Sequence, residues 1–238
     1  RMHDFYCRHV EKWAQTDVDG IQFIDDWGSQ KSLLINPRLW DEIFRPMYQD
    51  YIDIAKKYGK KTFMHSDGYT LDLFPRLIDM GLDAINSQIF CMGVDKLAPF
   101  RGKITFWGEI DRQHMLPEGT LADIDAAVEE VYSKLWADGG CIAQCEFGAG
   151  AKAENVYRVY EKWARLREED LAAGKYRQRK KGGHCMENAG REPEKGGTSG
   201  RRARQIFAHR ILFENPLLIA LLGLYPVAAA CHTLKNAL

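Results

Sequence analysis

The stretch KKTFMHSDGYT, residues 60–70, decides how the chain is interpreted. Residues 62–64 (TFM) have the character of a short buried strand, and the polar run HSDG (65–68) follows directly. In open-sheet and barrel enzymes, the carboxyl ends of the strands open into the ligand crevice. Two interpretations are open at this point: a functional site built on His65 and Asp67, or a solvated Asp-Gly turn beside a packed histidine.

Strand and helix patterns alternate on both sides of this stretch. Short apolar runs predict strands at residues 20–28, 61–68, 83–88, 104–111 and 140–147. Amphipathic runs predict helices at residues 37–59, with Pro46 as a candidate break, and at 70–81, 121–139 and 153–174. About five β-α units in succession favour an α/β fold with a parallel sheet, open or closed into a barrel. A complete (β/α)8 barrel has eight units, so the barrel interpretation requires that the first strands be absent.

The composition is that of an ordinary soluble protein. The 238 residues are 45% hydrophobic, and 33 Lys or Arg balance 33 Asp or Glu. This zero net charge gives no overall argument for nucleic-acid binding. Six cysteines show no dense disulfide spacing, and we expect no signal peptide, so we predict a reduced, cytoplasmic domain over residues 1–173.

Residues 174–205 form a second region, rich in Gly, Lys and Arg. Residues 174–210 hold 11 Lys or Arg and 3 Glu, so the positive charge of the chain is concentrated here. Such a composition buries too little apolar surface to offset the entropy of ordering, which predicts a flexible linker. Basic runs can contact nucleic acid or anionic lipid, but most are simply solvated. We expect no nucleic-acid partner.

Residues 206–238 form a third, hydrophobic region. Sixteen residues from Pro216 to Cys231 carry no charge, a little fewer than the ~20 that a spanning helix needs. The basic residues before them would suit a cytoplasmic flank. A buried helix is the competing interpretation, but no partner domain accompanies it in the sequence. We therefore predict a membrane tether through residues 211–233.

Each predicted strand ends in polar or titratable side chains, which would converge on one rim in a parallel barrel. An imidazole, a thiolate and a carboxylate together suit zinc at a catalytic site, where one position stays open for substrate. We predict zinc ligands His65, Asp67 and Cys145, with Glu146 as an alternative carboxylate. The predicted substrate-binding residues are Asp25, Asp26, Asn86, Gln88 and Glu109. Asp111 also ends a strand, and Cys141 is predicted to be a packed core thiol.

Three segments resemble the uroporphyrinogen decarboxylase superfamily: residues 24–68, WGEID (107–111) and AQCEFGAGAKAENV (143–156). The resemblance covers roughly residues 1–173 and the carboxyl-terminal half of that family's (β/α)8 barrel. It implies a partial TIM barrel. It also implies one of two activities, which are porphyrin decarboxylation and cobalamin- or corrinoid-dependent methyl transfer.

The motifs favour the methyltransferase branch of that family. This branch has a His-x-Cys-Gly pair after one strand and a later cysteine nine residues before Glu-Asn, and together they bind zinc. Here HSDG (65–68) matches the first motif, with Asp67 in place of the cysteine, and Cys145 precedes the Glu-Asn pair at 154–155. The resemblance implies zinc, a small-molecule methyl donor, and a corrinoid on a partner protein or a thiol acceptor.

Two alternatives stay open. One is a cofactor-free uroporphyrinogen decarboxylase that binds a tetrapyrrole, although that branch usually has histidine at the position of Cys145. The other is an inactive truncated or fused product. It follows from the last 25 residues, 214–238, which resemble the first membrane helix of integral subunits of Rnf- and Nqr-type electron-transport complexes.

Overall fold

A computed structural model describes residues 1–137 and 139–175 of the chain. The strands are β1 (Gly20–Ile24), β2 (Lys61–Ser66), β3 (Ala84–Ser87), β4 (Thr105–Glu109) and β5 (Cys141–Gln144). The helices are α1 (Met2–Ala14), α2 (Pro37–Lys57), α3 (Phe74–Met80), α4 (Ile89–Met92), α5 (Val94–Leu97), α6 (Met115–Glu118), α7 (Leu121–Leu135) and α8 (Ala153–Ala172). Short 3₁₀ turns lie at Leu71–Leu73 and Ala98–Phe100. The predicted alternation of strands and helices is confirmed.

The five strands form one parallel sheet whose spatial order is the chain order, β1 to β5. Every crossover therefore steps in the same direction, and the strand order never reverses. One row of side chains in register is buried against the helices and forms the centre of the core: Phe23, Met64, Ile85 and Phe106. Because successive side chains alternate between the faces of a sheet, His65, Asn86 and Trp107 lie on the opposite face.

The helix boundaries follow local sequence signals. The Asn36 side chain caps α2 by accepting a hydrogen bond from the Arg38 amide at 2.9 Å, and Pro37 occupies the first turn. Thr120 and Asp123 form a capping box at the start of α7. Gly81 ends α3 with φ of 77°, in the left-handed conformation that glycine adopts without penalty.

The predicted break at Pro46 is wrong, because α2 continues through this residue to Lys57. The helix loses one backbone hydrogen bond at the proline. Tertiary packing offsets this loss, since Trp40 on one side of Pro46 and Tyr48, Tyr51 and Ile52 on the other are buried. Both halves of α2 are thus held in a single helix.

The described residues do not include 176–238. The predictions for most of the basic linker and for the whole hydrophobic tail therefore lie outside them. Within residues 1–137 and 139–175, no helix combines the length and the apolar character that crossing a membrane requires.

Candidate metal centre

The site lies at the carboxyl ends of the strands, on the sheet face that carries His65 and Asn86. These two residues are register partners on β2 and β3. Asp67 lies two residues beyond His65, and Glu109 two residues beyond Trp107, so the pleat places both on the same face as the histidine. The carboxyl ends of the parallel strands therefore bring together the groups that the sequence singled out in MHSDG and INSQ.

The main chain of β4 fixes the orientation of the Asn86 amide. Asn86 Nδ2 donates a hydrogen bond to the Trp107 carbonyl oxygen at 2.8 Å and another to Gln144 Oε1 at 3.1 Å. A carbonyl oxygen only accepts, so the amide nitrogen faces Trp107 and the amide oxygen faces the imidazole. Asn86 Oδ1 lies 2.5 Å from His65 Nδ1.

This contact sets the tautomer of His65. Because Asn86 Oδ1 is an acceptor, His65 Nδ1 carries the proton and donates it, which leaves the second ring nitrogen, Nε2, with its lone pair. An outer partner that fixes the ring in this way is the usual arrangement for a histidine that binds a metal. His65 Nε2 lies 3.6 Å from Asp26 Oδ1 and 3.7 Å from Asp67 Oδ1.

The loops after β1 and β2 are held together, and this contact positions the two aspartates. The Asp67 amide donates to Asp26 Oδ1 at 3.0 Å, and the Gly28 amide donates to the Asp67 carbonyl at 3.1 Å. A Cβ at Gly68 would lie 2.4 Å from the Gly28 carbonyl carbon, so the two backbones approach more closely than any side chain allows. Gly68 also has φ of 79°. The Gly68 amide donates to Gln88 Oε1 at 2.9 Å, which joins the end of β3 to the same loop.

Arg112 is surrounded by carboxylates. Its Nη2 lies 2.5 Å from Asp67 Oδ2, its Nη1 forms an ion pair with Glu146, and its Nη1 also lies 3.8 Å from Glu109 Oε2. Burial is the main cause that raises the pKa of Glu109, the Arg112 charge opposes the rise, and Asp67 adds to it. Glu109 is 3% exposed. Arg112 therefore holds one oxygen of Asp67 and leaves the other, Oδ1, turned toward His65.

The arrangement fits a metal cation. Asp26, His65 and Asp67 each offer one donor atom, and these atoms lie within 4.8 Å of one another. The lone pair of His65 Nε2 faces two carboxylate oxygens, which is unfavourable unless a proton or a metal lies between them. Asp67 Oδ1 is buried and forms no hydrogen bond, whereas the other oxygen of the same carboxylate is held by Arg112. Three carboxyl groups share the one guanidinium of Arg112, and Asp26 adds a fourth beside His65, so the negative charge of this cluster favours a divalent ion.

Cys145 lies apart from this cluster in the structure. It belongs to the hydrophobic core, is 1% exposed and forms a hydrogen bond with Tyr160 of α8. Burial raises its pKa to about 11, against the opposing effect of the Tyr160 hydrogen bond. The described residues contain two clusters of possible metal ligands, and Cys145 belongs to neither. Its role as a zinc ligand stays a prediction.

The remaining predicted residues have structural contacts. Asp25 accepts a hydrogen bond from Tyr48 of α2. Asp111 caps the turn after β4 by accepting from the amides of Gln113 and His114. Cys141 packs against the core, as predicted, and burial raises its pKa to about 12.

Sequence reasoning did not predict Arg112, and it predicted Asp26 as a substrate contact, whereas in the structure Asp26 lies among possible metal ligands. Arg112 lies three residues beyond the end of β4, where no strand alternation applies. Its only sequence signal is a single positive charge in the acidic segment GEIDR. A cleft of about 180 Å³ beside it is lined by residues that include Gln88, Phe90, Glu109 and Arg112.

The fold is similar to that of a methyltransferase from Methanosarcina mazei, with a TM-score of 0.55 and 15% sequence identity. The match covers 69% of this chain and 48% of that one, so the chain spans about half the length of that structure. At this identity the similarity shows the fold alone. No protein-family model matches the chain. No curated protein matches it either.

Proposed function

We propose that the chain is a zinc-dependent methyltransferase related to the uroporphyrinogen decarboxylase superfamily, which uses a small methyl donor and a corrinoid partner or thiol acceptor. The observation that carries the proposal is the convergence of His65 Nε2, Asp26 Oδ1 and Asp67 Oδ1 at the carboxyl ends of parallel strands. Its fold similarity to a methyltransferase supports the same class.

The winding of the sheet supports a segment of a (β/α)8 barrel. In a barrel each β-α unit adds its strand beside the previous one, whereas an open doubly wound sheet reverses direction at a switch point. Here the order from β1 to β5 shows no reversal. The concave face of such a segment would carry His65 and Asn86, and its carboxyl-terminal rim would carry Asp26, Asp67 and Glu109.

The residues of the chain have separate tasks in this proposal. His65 and Asp67 would hold the ion together with Asp26 or Cys145, Asn86 accepts the proton of His65 Nδ1 and so presents Nε2 to the ion, and Arg112 holds the second oxygen of Asp67. Zinc bound there supplies Lewis acidity, which lowers the pKa of a thiol that it coordinates and makes it a nucleophile at neutral pH. Glu109 lines the adjacent cleft, and burial raises the pKa of its carboxyl group.

The sulfur ligand is the part of the proposal that the geometry supports least. Cys145 is a buried thiol beside Tyr160, whereas Asp26 already lies beside His65. We therefore propose His65 and Asp67 as fixed ligands, with Asp26 or Cys145 as the third. Alanine substitution distinguishes Asp26 from Cys145, because the amount of zinc bound per chain falls only when a true ligand is removed.

The test measures zinc per chain in the purified full-length protein, after dialysis against zinc and gel filtration. We expect His65→Ala and Asp67→Ala to lose one equivalent of zinc that the wild type retains. Comparing Asp26→Ala with Cys145→Ala then identifies the third ligand. His114→Ala is the matched control, because His114 is an exposed histidine near the same rim whose pairing with Asp111 lies outside the cluster.

Each alternative outcome has a definite meaning. Undiminished zinc in folded His65→Ala and Asp67→Ala proteins would reject the metal site. A folded wild-type chain that binds no zinc but binds a porphyrinogen would favour cofactor-free decarboxylation instead. A chain that holds zinc but transfers no methyl group between small-molecule donors and a thiol or corrinoid acceptor would reject the proposed activity.

A further inference from the structure

A second cluster of metal-binding side chains lies between α1 and α2, on different elements from the strand-end site. His3 and Cys7 are four residues apart on α1, so they lie on one face of the helix. That face packs against α2, where Asp50 and Tyr51 meet it. The cluster brings an imidazole, a thiol and a carboxylate to one point, and neither the sequence motifs nor the proposed methyl transfer uses them.

The donor atoms already converge. His3 Nε2 lies 2.9 Å from Asp50 Oδ2 and 3.6 Å from Cys7 Sγ, and one donor atom from each residue lies within 4.8 Å of the others. His3 Nδ1 lies 3.1 Å from the Tyr51 hydroxyl oxygen, which can accept the Nδ1 proton. A histidine that binds a metal through Nε2 donates its Nδ1 proton to an outer partner of this kind, which fixes the ring and directs Nε2 at the other two ligands. The histidine and the cysteine are half-buried, whereas Asp50 is exposed and gives access from the solvent.

The electrostatics also favour a cation here. Burial raises the pKa of the Cys7 thiol, Asp50 and Asp4 raise it further, and the Arg8 charge partly opposes them. A divalent ion would reverse this balance, because coordination to a metal removes the thiol proton and the ion neutralises the neighbouring carboxylates.

We propose that His3, Cys7 and Asp50 bind a divalent transition metal of the zinc type, with solvent in the remaining position. Sulfur and imidazole nitrogen are poor ligands for magnesium and calcium, which prefer oxygen alone, so the donor set selects zinc and its neighbours in the series. With the ion bound at Nε2, the neutral His3 ring would carry its one proton on Nδ1, where it donates to the Tyr51 oxygen. It would link α1 to α2, because two ligands come from the first helix and one from the second.

The test titrates the full chain with Co²⁺, which replaces zinc and shows a sulfur-to-cobalt charge-transfer band when a thiolate binds it. We expect Cys7→Ser to lose this band and one equivalent of metal, and Asp50→Asn to weaken binding at least tenfold. Cys91→Ser and Asp53→Asn are matched controls, since Cys91 donates to the Gln30 carbonyl in another part of the fold and Asp53 lies on α2 outside the cluster, where it accepts from Gln49. Both should bind as the wild type does.

Alkylation gives a second measurement that needs no variant. Zinc should protect Cys7 from iodoacetamide and leave the rate at Cys91 unchanged, as mapped by mass spectrometry. A plain hydrogen-bonded contact between the helices would show no zinc protection of Cys7 and no loss of metal in folded Cys7→Ser, and either result overturns the proposal.

The outcome is independent of the strand-end site. His65→Ala should keep the protection of Cys7 by zinc even if methyl transfer is never observed. Conversely, Cys7→Ser should keep the equivalent of zinc that His65 holds. If Cys145 proves to be a ligand of the strand-end site, the cobalt titration is repeated in Cys145→Ser. Within the cluster of His3, Cys7 and Asp50, only Cys7 could then give a remaining thiolate band.

Discussion

Asn86 decides which nitrogen of His65 is available to a metal, although it would not touch the ion itself. From β3, its side chain contacts three other strands. Its Oδ1 accepts from His65 on β2, and its Nδ2 donates to the Trp107 carbonyl on β4 and to Gln144 on β5. We expect Asn86→Ala to weaken zinc binding by roughly 10- to 100-fold, the usual cost of losing an outer partner of a metal ligand. Competition with a chromophoric chelator measures the affinity.

Gln144→Ala is the control for this prediction. It removes one of the two acceptors of Asn86 Nδ2 and leaves the Trp107 carbonyl, which still fixes the amide. We expect a much smaller loss of zinc affinity than in Asn86→Ala. Equal affinities in the wild type and in a folded Asn86→Ala protein would show that the tautomer of His65 is set in another way.

Glu109 predicts a pH dependence of stability. Burial raises the pKa of Glu109 in the folded chain. At a pH between the ordinary pKa of a glutamate and this raised pKa, the folded state therefore holds a proton that the unfolded state has lost. Stability must therefore fall as the pH rises through this window. We expect Glu109→Gln to be more stable than the wild type above the window and equal to it near pH 4, as measured by urea unfolding.

The exposed Glu161 serves as the comparison, because Glu161→Gln should change the free energy of unfolding little at any pH in this range. A Glu109→Gln protein less stable than the wild type at pH 7 would mean that the attraction between Arg112 and the Glu109 carboxylate outweighs the cost of burying its charge.

At the residue scale, the convergence of the carboxyl ends of parallel strands predicted that His65, Asp67 and Asn86 would lie together, and they do. Their roles as metal and substrate ligands stay predictions. Arg112 was not predicted because it lies in the loop after β4, where no periodic signal indicates that its side chain contacts Asp67. Cys145 lies one residue beyond the end of β5, so strand alternation does not fix the direction of its side chain, and its role as a zinc ligand stays a prediction.

At the scale of elements, the contact between the β1 and β2 loops depends on two glycines. We expect Gly68→Ala to cost about 3 kcal/mol or more of unfolding free energy, because a Cβ would meet the Gly28 backbone and φ is positive. Gly59→Ala should cost only about 1 kcal/mol, since its φ is also positive but no atom lies within 4 Å of the new Cβ. Denaturant unfolding compares them. Equal costs would show that the loops separate without penalty.

Most elements could be predicted from the sequence, because apolar periodicity and caps are local signals. Their ends were placed a few residues too far out at several positions, such as the strand predicted at 104–111, which spans Thr105–Glu109. The continuation of α2 through Pro46 could not be predicted. It depends on the burial of Tyr48 and Tyr51 beneath α1 and β1, which is a long-range contact.

At the scale of the whole molecule, the two proposed sites share no residue. One joins the loops after β1 and β2, and the other joins α1 to α2. Metal that binds only the folded chain stabilises it by about 2.7 kcal/mol per site at a hundredfold excess over Kd. For a chain of this size, that corresponds to a rise in Tm of roughly 5–10 °C per site.

Chelation should therefore lower the Tm of the zinc-loaded full chain, and the two sites should contribute separately. We expect His65→Ala and Cys7→Ser each to lose part of the zinc-dependent shift and the double variant to lose all of it, because independent sites add. Calorimetry with zinc and with chelator, at one protein concentration, measures each shift. If Cys7→Ser keeps the whole shift while His65→Ala loses it, then the strand-end site alone binds zinc in the folded chain, and the contact between α1 and α2 is a hydrogen-bonded one.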